Sequence, residues 1–382
     1  MEFVIRKADL VRELQTVTGV VEKRATLPIL ANLLLETTPD GLQVGASDLE
    51  VTIRGTAEAN VVRPGSVTLP AGKLHEIARS LPDSDVQFKL LDRNQVAITC
   101  ERTRYRIAGQ PRDDFPGFPE VDTKGGVKLP AALLSRMIER VAFAITTEDP
   151  RYSLNGALLL MGRGRLTLVA TDGHRLAFVS HELGAAVAGD ELRLIVPRKA
   201  LFEVQKMTES LGDEDEVVFG KADNQIYFVV GTHKLTSNLL EGNFPRYENV
   251  MPQSSEITVM LPTEGLAQAV RRVALLASER YGRAVRLSLT SGKLQLSSRT
   301  EMGEAEEVLE VDYDGTPIEI GFNARYLIDY LSVVGSPSVS LELSPSASSA
   351  EGKIQAGDKP GQLRPEPRGE SDYRYVVMPM HL

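Results

Sequence analysis

Val67-Thr-Leu-Pro-Ala-Gly-Lys73 runs an apolar strand pattern straight into a helical one at a basic residue, and the same device returns as Leu194-Ile-Val-Pro-Arg-Lys199 and Ile318-Glu-Ile-Gly-Phe-Asn-Ala-Arg325. Lys73, Lys199 and Arg325 stand 126 residues apart each time. A constant spacing of this length is the mark of one layout written three times. A companion series opens each copy, with apolar faces at Leu10, Leu14 and Val17, at Leu133, Met137 and Val141, and at Leu266, Val270 and Val273. Those residues recur every three or four positions and so predict helices. Between the helices lie short alternating runs such as Leu33-Leu-Leu-Glu, Leu42-Gln-Val, Val51-Thr-Ile, Val86-Gln-Phe and Val96-Ala-Ile, which predict strands.

Each copy therefore reads as strand, helix, three strands, taken twice. The fold class is α+β, with three similar domains, each of two helices packed on antiparallel sheet. Asp113-Asp-Phe-Pro116 and Gly242-Asn-Phe-Pro245 close the first two copies, which places the domains at 1–122, 123–252 and 253–382. Gly125-Gly126 and Gln253-Ser-Ser255 are the short joints between them. Ser344 to Asp372, crowded with Ser, Gly and Pro, predicts one strand near Lys353-Ile-Gln-Ala and a mobile loop after it.

The 382 residues are 42% hydrophobic and 25% charged, without tryptophan, as in an ordinary globular chain. No run is apolar enough to span a membrane and the first residues lack a signal-peptide pattern, so a cytoplasmic protein is the expectation. The single cysteine, Cys100, excludes an internal disulfide and a cysteine-based zinc site. Phosphate-loop, zinc-protease, nucleophile-elbow and dinucleotide fingerprints are missing, so no catalytic residue, metal or cofactor is expected. Gly162-Arg-Gly-Arg165, between two strand patterns, reads as a hairpin turn. The most enzyme-like string is Ala170-Thr-Asp-Gly-His-Arg-Leu-Ala177. Asp172 could orient His174 as the base of a hydrolase, or Asp172-Gly173 could simply make a turn.

The net charge of −9 argues against a general nucleic-acid binder. Yet Arg136, Arg140, Arg271, Arg272, Lys73, Arg198, Lys199 and Arg325 all fall in or at the openings of helices, which makes the helical face the more positive one. Glu101-Arg-Thr-Arg-Tyr-Arg-Ile107 sets Arg102, Arg104 and Arg106 on one side of a strand and Tyr105 and Ile107 on the other. Glu301-Met-Gly-Glu-Ala-Glu-Glu307 concentrates carboxylates ahead of the strand Val308-Leu-Glu-Val311. The two runs suit head-to-tail association, and they also suit charged edges that prevent aggregation. Near the chain's end Met378 and Met380 follow two valines, and flexible sulfur side chains of this kind line adaptable pockets.

Thr26-Leu-Pro-Ile-Leu-Ala-Asn-Leu-Leu-Leu35, Arg151-Tyr-Ser-Leu-Asn-Gly156, Ala170 to Ala177, Ile195-Val-Pro-Arg-Lys199, Gly242-Asn-Phe-Pro245, Glu304-Ala-Glu-Glu307 and Tyr375-Val-Val-Met-Pro-Met380 resemble the bacterial DNA polymerase III β subunit family, the replicative sliding clamps. The resemblance runs through the whole chain. It implies a ring-shaped head-to-tail homodimer around double-stranded DNA, held by topology and not by sequence. It also implies a cleft in which DNA polymerase III, the clamp loader and repair factors insert short linear motifs. Carried over by motif, the cleft wall would be Leu154, Thr171, Gly173, His174, Arg175, Leu176, Pro245, Val250, Val376, Met378, Pro379 and Met380. The subunit interface would set Lys73, Arg102, Arg104, Tyr105 and Ile107 against Leu275, Leu276, Glu301, Glu304, Glu306 and Glu307. Arg24, Tyr152, Arg198, Lys199 and Arg283 would face DNA. The chain departs from the family pattern at His381, Asn249, Ser153 and Glu148, and its Pro-rich stretch from Lys359 to Ser371 looks like an insertion. A trimodular scaffold that never encloses DNA is the other non-enzymatic reading.

Overall fold

The computed structural model describes residues 1–22, 27–146, 150–183, 191–209, 211–212, 214–277, 283–344, 347–348, 354–355 and 359–380. Arg24, Glu148 and His381 lie outside the described residues. Six α-helices are described: α1 (Lys7–Val17), α2 (Ala71–Ser80), α3 (Ala131–Ala142), α4 (Arg198–Thr208), α5 (Thr263–Ala274) and α6 (Ala324–Val333). The predicted faces are buried in α1 and α5. In α3 the face is rotated by one residue, with Leu134, Met137, Ile138 and Val141 buried and Leu133 only half-buried. Helices α2, α4 and α5 begin directly after a strand-terminal proline, Pro70, Pro197 or Pro262, without a side-chain cap. In α6, Asn323 caps the Arg325 amide.

The chain forms two compact units, Met1–Ser135 with Val196–Leu239, and Arg136–Ile195 with Leu240–Leu382. They cut across the repeat, because strands pair between copies. In the first unit Lys234–Ser237 of the middle copy pairs antiparallel with Val51–Arg54 of the first. This fuses both sets of strands into one eight-stranded sheet, where a separate sheet for each copy was expected. A half-buried strand edge is stabilised by gaining a ladder partner, so fused sheets remove two open edges. A five-stranded sheet in the same unit ends on Thr103–Ala108.

The second unit repeats the device. Its eight-stranded sheet runs Leu192–Pro197, Gly156–Gly162, Arg165–Thr171, Arg175–Glu182, Asp372–Val377, Gly361–Glu366, Ser338–Leu343, Ile257–Pro262. Asp372–Val377 is thus an interior strand. Gly361–Glu366 corrects the expectation of a mobile loop after residue 355, since its Gln362 and Leu363 are buried in the ladder. Pro365 is tolerated because pairing with Asp372–Val377 covers only Gly361 to Leu363, leaving that side of Pro365 without a ladder partner to serve. A six-stranded sheet in this unit ends on Gly303–Glu310.

Register decides what each face carries. Ala177 stands opposite Tyr375 and Leu176 opposite Val376, so the first pair shares one face and the second pair the other. On the helical face, Tyr375 stacks on Tyr330 of α6 at 4.8 Å, and Tyr330 lies 5.3 Å from Tyr373. Tyr373 and Tyr375 donate to the carbonyls of Arg140 and Tyr326. Arg140 covers the Tyr373 ring and is partly withdrawn from solvent, which weakens its place in the expected basic face.

Candidate functional site: an apolar groove beside a buried arginine

The string from Thr171 to Arg175 is a turn held by its own side chains. Asp172 Oδ1 accepts from the His174 and Arg175 amides at 2.9 and 3.0 Å, and Thr171 Oγ1 accepts from the Gly173 amide at 3.1 Å. Gly173 adopts φ +89, where an L side chain is strained. A Cβ there would also meet Arg151 Nη2 at 2.9 Å. His174 O then accepts from the Met378 amide at 2.9 Å, which ties the residue after the last strand to the turn.

Because successive strand residues point to opposite faces, Arg175 and Leu176 part company. Arg175, 8% exposed, directs its guanidinium toward α6. Nε donates to Asp172 at 3.0 Å, Nη1 to Asp329 at 2.6 Å and Nη2 to the Phe143 carbonyl at 2.7 Å. Its plane lies 4.4 Å from the centre of the Tyr326 ring. Burial opposes its charge, but Tyr375, Asp329 and Asp172 outweigh that and raise its pKa further.

Leu176 and Val376 turn to the other face and join Leu154, Leu158, Val169, Ile195 and Phe244 in a buried cluster, with Phe178, Leu240, Tyr247 and Met251 packed on it. Above the cluster opens a groove of about 540 Å³ lined by Arg151, Leu154, Thr171, Gly173, His174, Arg175, Leu176, Pro245, Arg246, Tyr247, Val250, Val376 and Met378. Ten of the twelve cleft residues drawn from the sequence meet here. Pro379 and Met380 do not line it; the Met380 amide donates instead to the Gly321 carbonyl at 2.8 Å, which draws the chain off the rim. Arg151, Arg246 and Tyr247 were missed. Arg151 opens the quoted motif Arg151 to Gly156, and Arg246 and Tyr247 lie between Pro245 of the wall and Asn249, so nearness in the chain was the available signal.

The groove suits binding better than chemistry. Asp172 accepts from the backbone of His174 and from Arg175, so its carboxylate is committed to the turn, and His174 is exposed. The hydrolase reading of Asp172 and His174 is thereby corrected, because a carboxylate bonded in this way is not orienting the imidazole. Among the described residues no His, Cys, Asp and Glu cluster could hold a metal ion.

The remaining residues fall elsewhere. Thr103–Ala108 exposes Arg104 and Arg106 on one face and half-buries Tyr105 and Ile107 on the other, while Arg102 sits in the preceding turn. The acidic run does not precede a strand as expected but lies on one, the outer strand Gly303–Glu310, reached through the hairpin at Glu301 and Met302. Glu307 is gripped by Arg272 through two bonds of 2.8 and 2.5 Å, and Glu306 by Gln295, so these carboxylates already have partners. Leu275 is 83% exposed, and Met302, within the Glu301 to Glu307 run, is 88% exposed; Leu276 is half-buried. Lys73 pairs with Glu76 at 2.6 Å.

Of the residues expected to face DNA, Tyr152 is exposed on a short 3₁₀ turn. Arg198 stacks on Phe202 at 4.5 Å and its pKa is lowered by burial. Lys199 is turned inward, donating to the Val20 carbonyl at 2.8 Å and pairing with Asp48 and Glu22. Arg283 adopts φ +53, and its carbonyl accepts from the Ala324 amide at the start of α6.

Residues 1–119 match the N-terminal domain of the DNA polymerase III beta subunit, residues 128–246 its central domain and residues 248–381 its C-terminal domain. The chain is 37% identical over 385 residues to the beta sliding clamp of Pseudomonas putida, with all of both chains covered. It is similar to the crystal structure of the DNA polymerase III subunit beta from Pseudomonas aeruginosa, with a TM-score of 0.89 at 35% identity over the whole of both chains. A sliding clamp from Bartonella birtlesii, bound to griselimycin, matches with a TM-score of 0.91 at 32% identity, again over both whole chains. With three domains matched in order over the whole chain, the chain belongs to the DNA polymerase III beta subunit family and has its three-domain α+β fold and its function as a DNA sliding clamp.

Proposed function

We propose that two copies of this chain join head to tail into a ring around duplex DNA, and that the groove beside Arg175 receives short linear motifs from DNA polymerase III, the clamp loader and repair factors. The domains are taken as 1–122, 123–252 and 253–382, and the setting as the cytoplasm. The observation that carries the partner reading is the groove itself. It is an apolar floor of Leu154, Leu176 and Val376 under polar edges at Thr171 and His174, which suits aliphatic and aromatic anchors on an extended peptide. Support for the ring comes from two open strand edges of opposite sign, Thr103–Ala108 and Gly303–Glu310, beside exposed Leu275 and Met302. Arg24, Tyr152, Arg198, Lys199 and Arg283 are assigned to DNA, with Lys199 acting once it leaves Asp48.

The test loads the protein with a clamp loader and ATP onto nicked circular plasmid and then cuts the plasmid. Release on cutting and persistence on uncut circles is the expected result; equal retention on both forms would overturn the ring in favour of a scaffold. For the groove, a fluorescent hexapeptide carrying adjacent leucine and phenylalanine should bind, and should be displaced by griselimycin.

A further inference from the structure

We infer that Asp329 and Tyr326 of α6 are positioning residues for the groove, acting through Arg175 without touching what binds there. The inference rests on the groove being the peptide site. Three of the Arg175 donors are already committed to Asp172, Asp329 and the Phe143 carbonyl, and its plane is covered by Tyr326. With three of its five N–H donors committed and its face covered, the guanidinium is held in place by the protein itself. Its work is to fix Asp172, and Asp172 in turn holds the amides of His174 and Arg175. The His174 carbonyl then anchors the Met378 amide. One chain of contacts thus runs from the middle of α6 to both lips of the groove.

Asp329 is the sensitive link. It takes the shortest of the Arg175 bonds and stands 154 residues away in sequence, on an element that contributes no lining side chain. It is also 4.0 Å from Arg325, one helical turn earlier, whose side chain is mostly exposed. Substitutions along such a contact chain change binding by roughly 2- to 30-fold without meeting the ligand.

The Leu-Phe hexapeptide is titrated against the full-length chain as wild type, D329N, R175Q and the double variant, with thermal unfolding followed alongside. D329N is expected to weaken binding within that range, R175Q by at least as much, and the double variant no further than R175Q, because both act through one guanidinium. Wild-type affinity in D329N, or losses that multiply in the double variant, would overturn the inference. Should D329N unfold early, Tyr326→Leu removes the stack without stranding a charge, and must also weaken binding for the inference to stand. Met378→Ala separates the two levels. Unchanged binding in that variant removes the groove reading itself, whereas weakened binding there with normal D329N rejects only the role of α6.

Discussion

Each compact unit contains the same turn, and in the second that turn forms one lip of the groove. In the first unit, Asp48 Oδ1 accepts from the Glu50 and Val51 amides, Ser47 Oγ accepts from the Leu49 amide, and the Glu50 carbonyl accepts from Asn238 at 2.9 Å. In the second, Asp172, Thr171 and the His174 carbonyl do the same for His174, Arg175, Gly173 and Met378. Even the second oxygen of each aspartate takes a cation, Lys199 in one unit and Arg175 in the other. The backbone device is therefore not what makes a binding site. Leu49 occupies φ +78 where Gly173 occupies φ +89, and buried Val51 occupies the place of Arg175. The second unit has exchanged a bulky turn residue for glycine and an aliphatic core residue for a guanidinium braced by a helix.

Making the two turns alike should break the difference between them. Alkali gives the largest effect. Tyr330, Tyr373 and Tyr375 are all fully buried in the second unit, and burial raises each phenol above its ordinary pKa. A raised folded pKa means stabilisation that is complete below the ordinary phenol value of about 10 and lost as pH rises past it. Phenolate absorbance should show these tyrosines ionising in one late step, together with loss of peptide binding. Three separate early titrations would show that the stack is open.

Arg175→Val, which copies Val51, leaves Asp329 without its buried partner and should cost about 3 kcal/mol in denaturant unfolding. Lys199→Met breaks the matching brace in the first unit; with Lys199 partly exposed, the cost should be about 1 to 2 kcal/mol, and peptide affinity should stay at wild type. Gly173→Leu should lose about 1 kcal/mol to backbone strain at φ +89 and weaken peptide binding by adding a side chain to the groove lining, as calorimetry would detect. The reverse exchange, Leu49→Gly, should raise stability by about 0.5 kcal/mol, because relief of positive φ outweighs the entropy of glycine. A loss of stability there would mean that Leu49, 54% exposed, packs on something in the assembled protein.

What the sequence disclosed follows the same division between local and distant. The strand-to-helix junctions at Lys73, Lys199 and Arg325 and the turn at Asp172 are set by neighbours in the chain, and all were legible. The fused sheets depend on Lys234–Ser237 meeting Val51–Arg54, a pairing that no periodicity encodes. Gly361–Glu366 hid behind Pro365, because proline usually speaks against an interior strand. Ten of the thirteen residues lining the groove were named through the family resemblance, while the turn at Asp172 and the methionine at 378 had drawn notice from the residues themselves. Arg246 and Tyr247 sit in an irregular segment without a period to betray them.

The bracing of Arg175 also bears on how resistance to a compound seated in the groove could arise. Replacing Arg175 to dislodge such a compound would strand the Asp329 carboxylate and the Phe143 carbonyl, so folding itself would select against the escape. Viable escape then falls to lining side chains that face solvent, Arg151, His174, Pro245, Arg246, Val250 and Met378. A compound that draws its affinity from the Leu154, Leu176 and Val376 floor leaves those positions little to change.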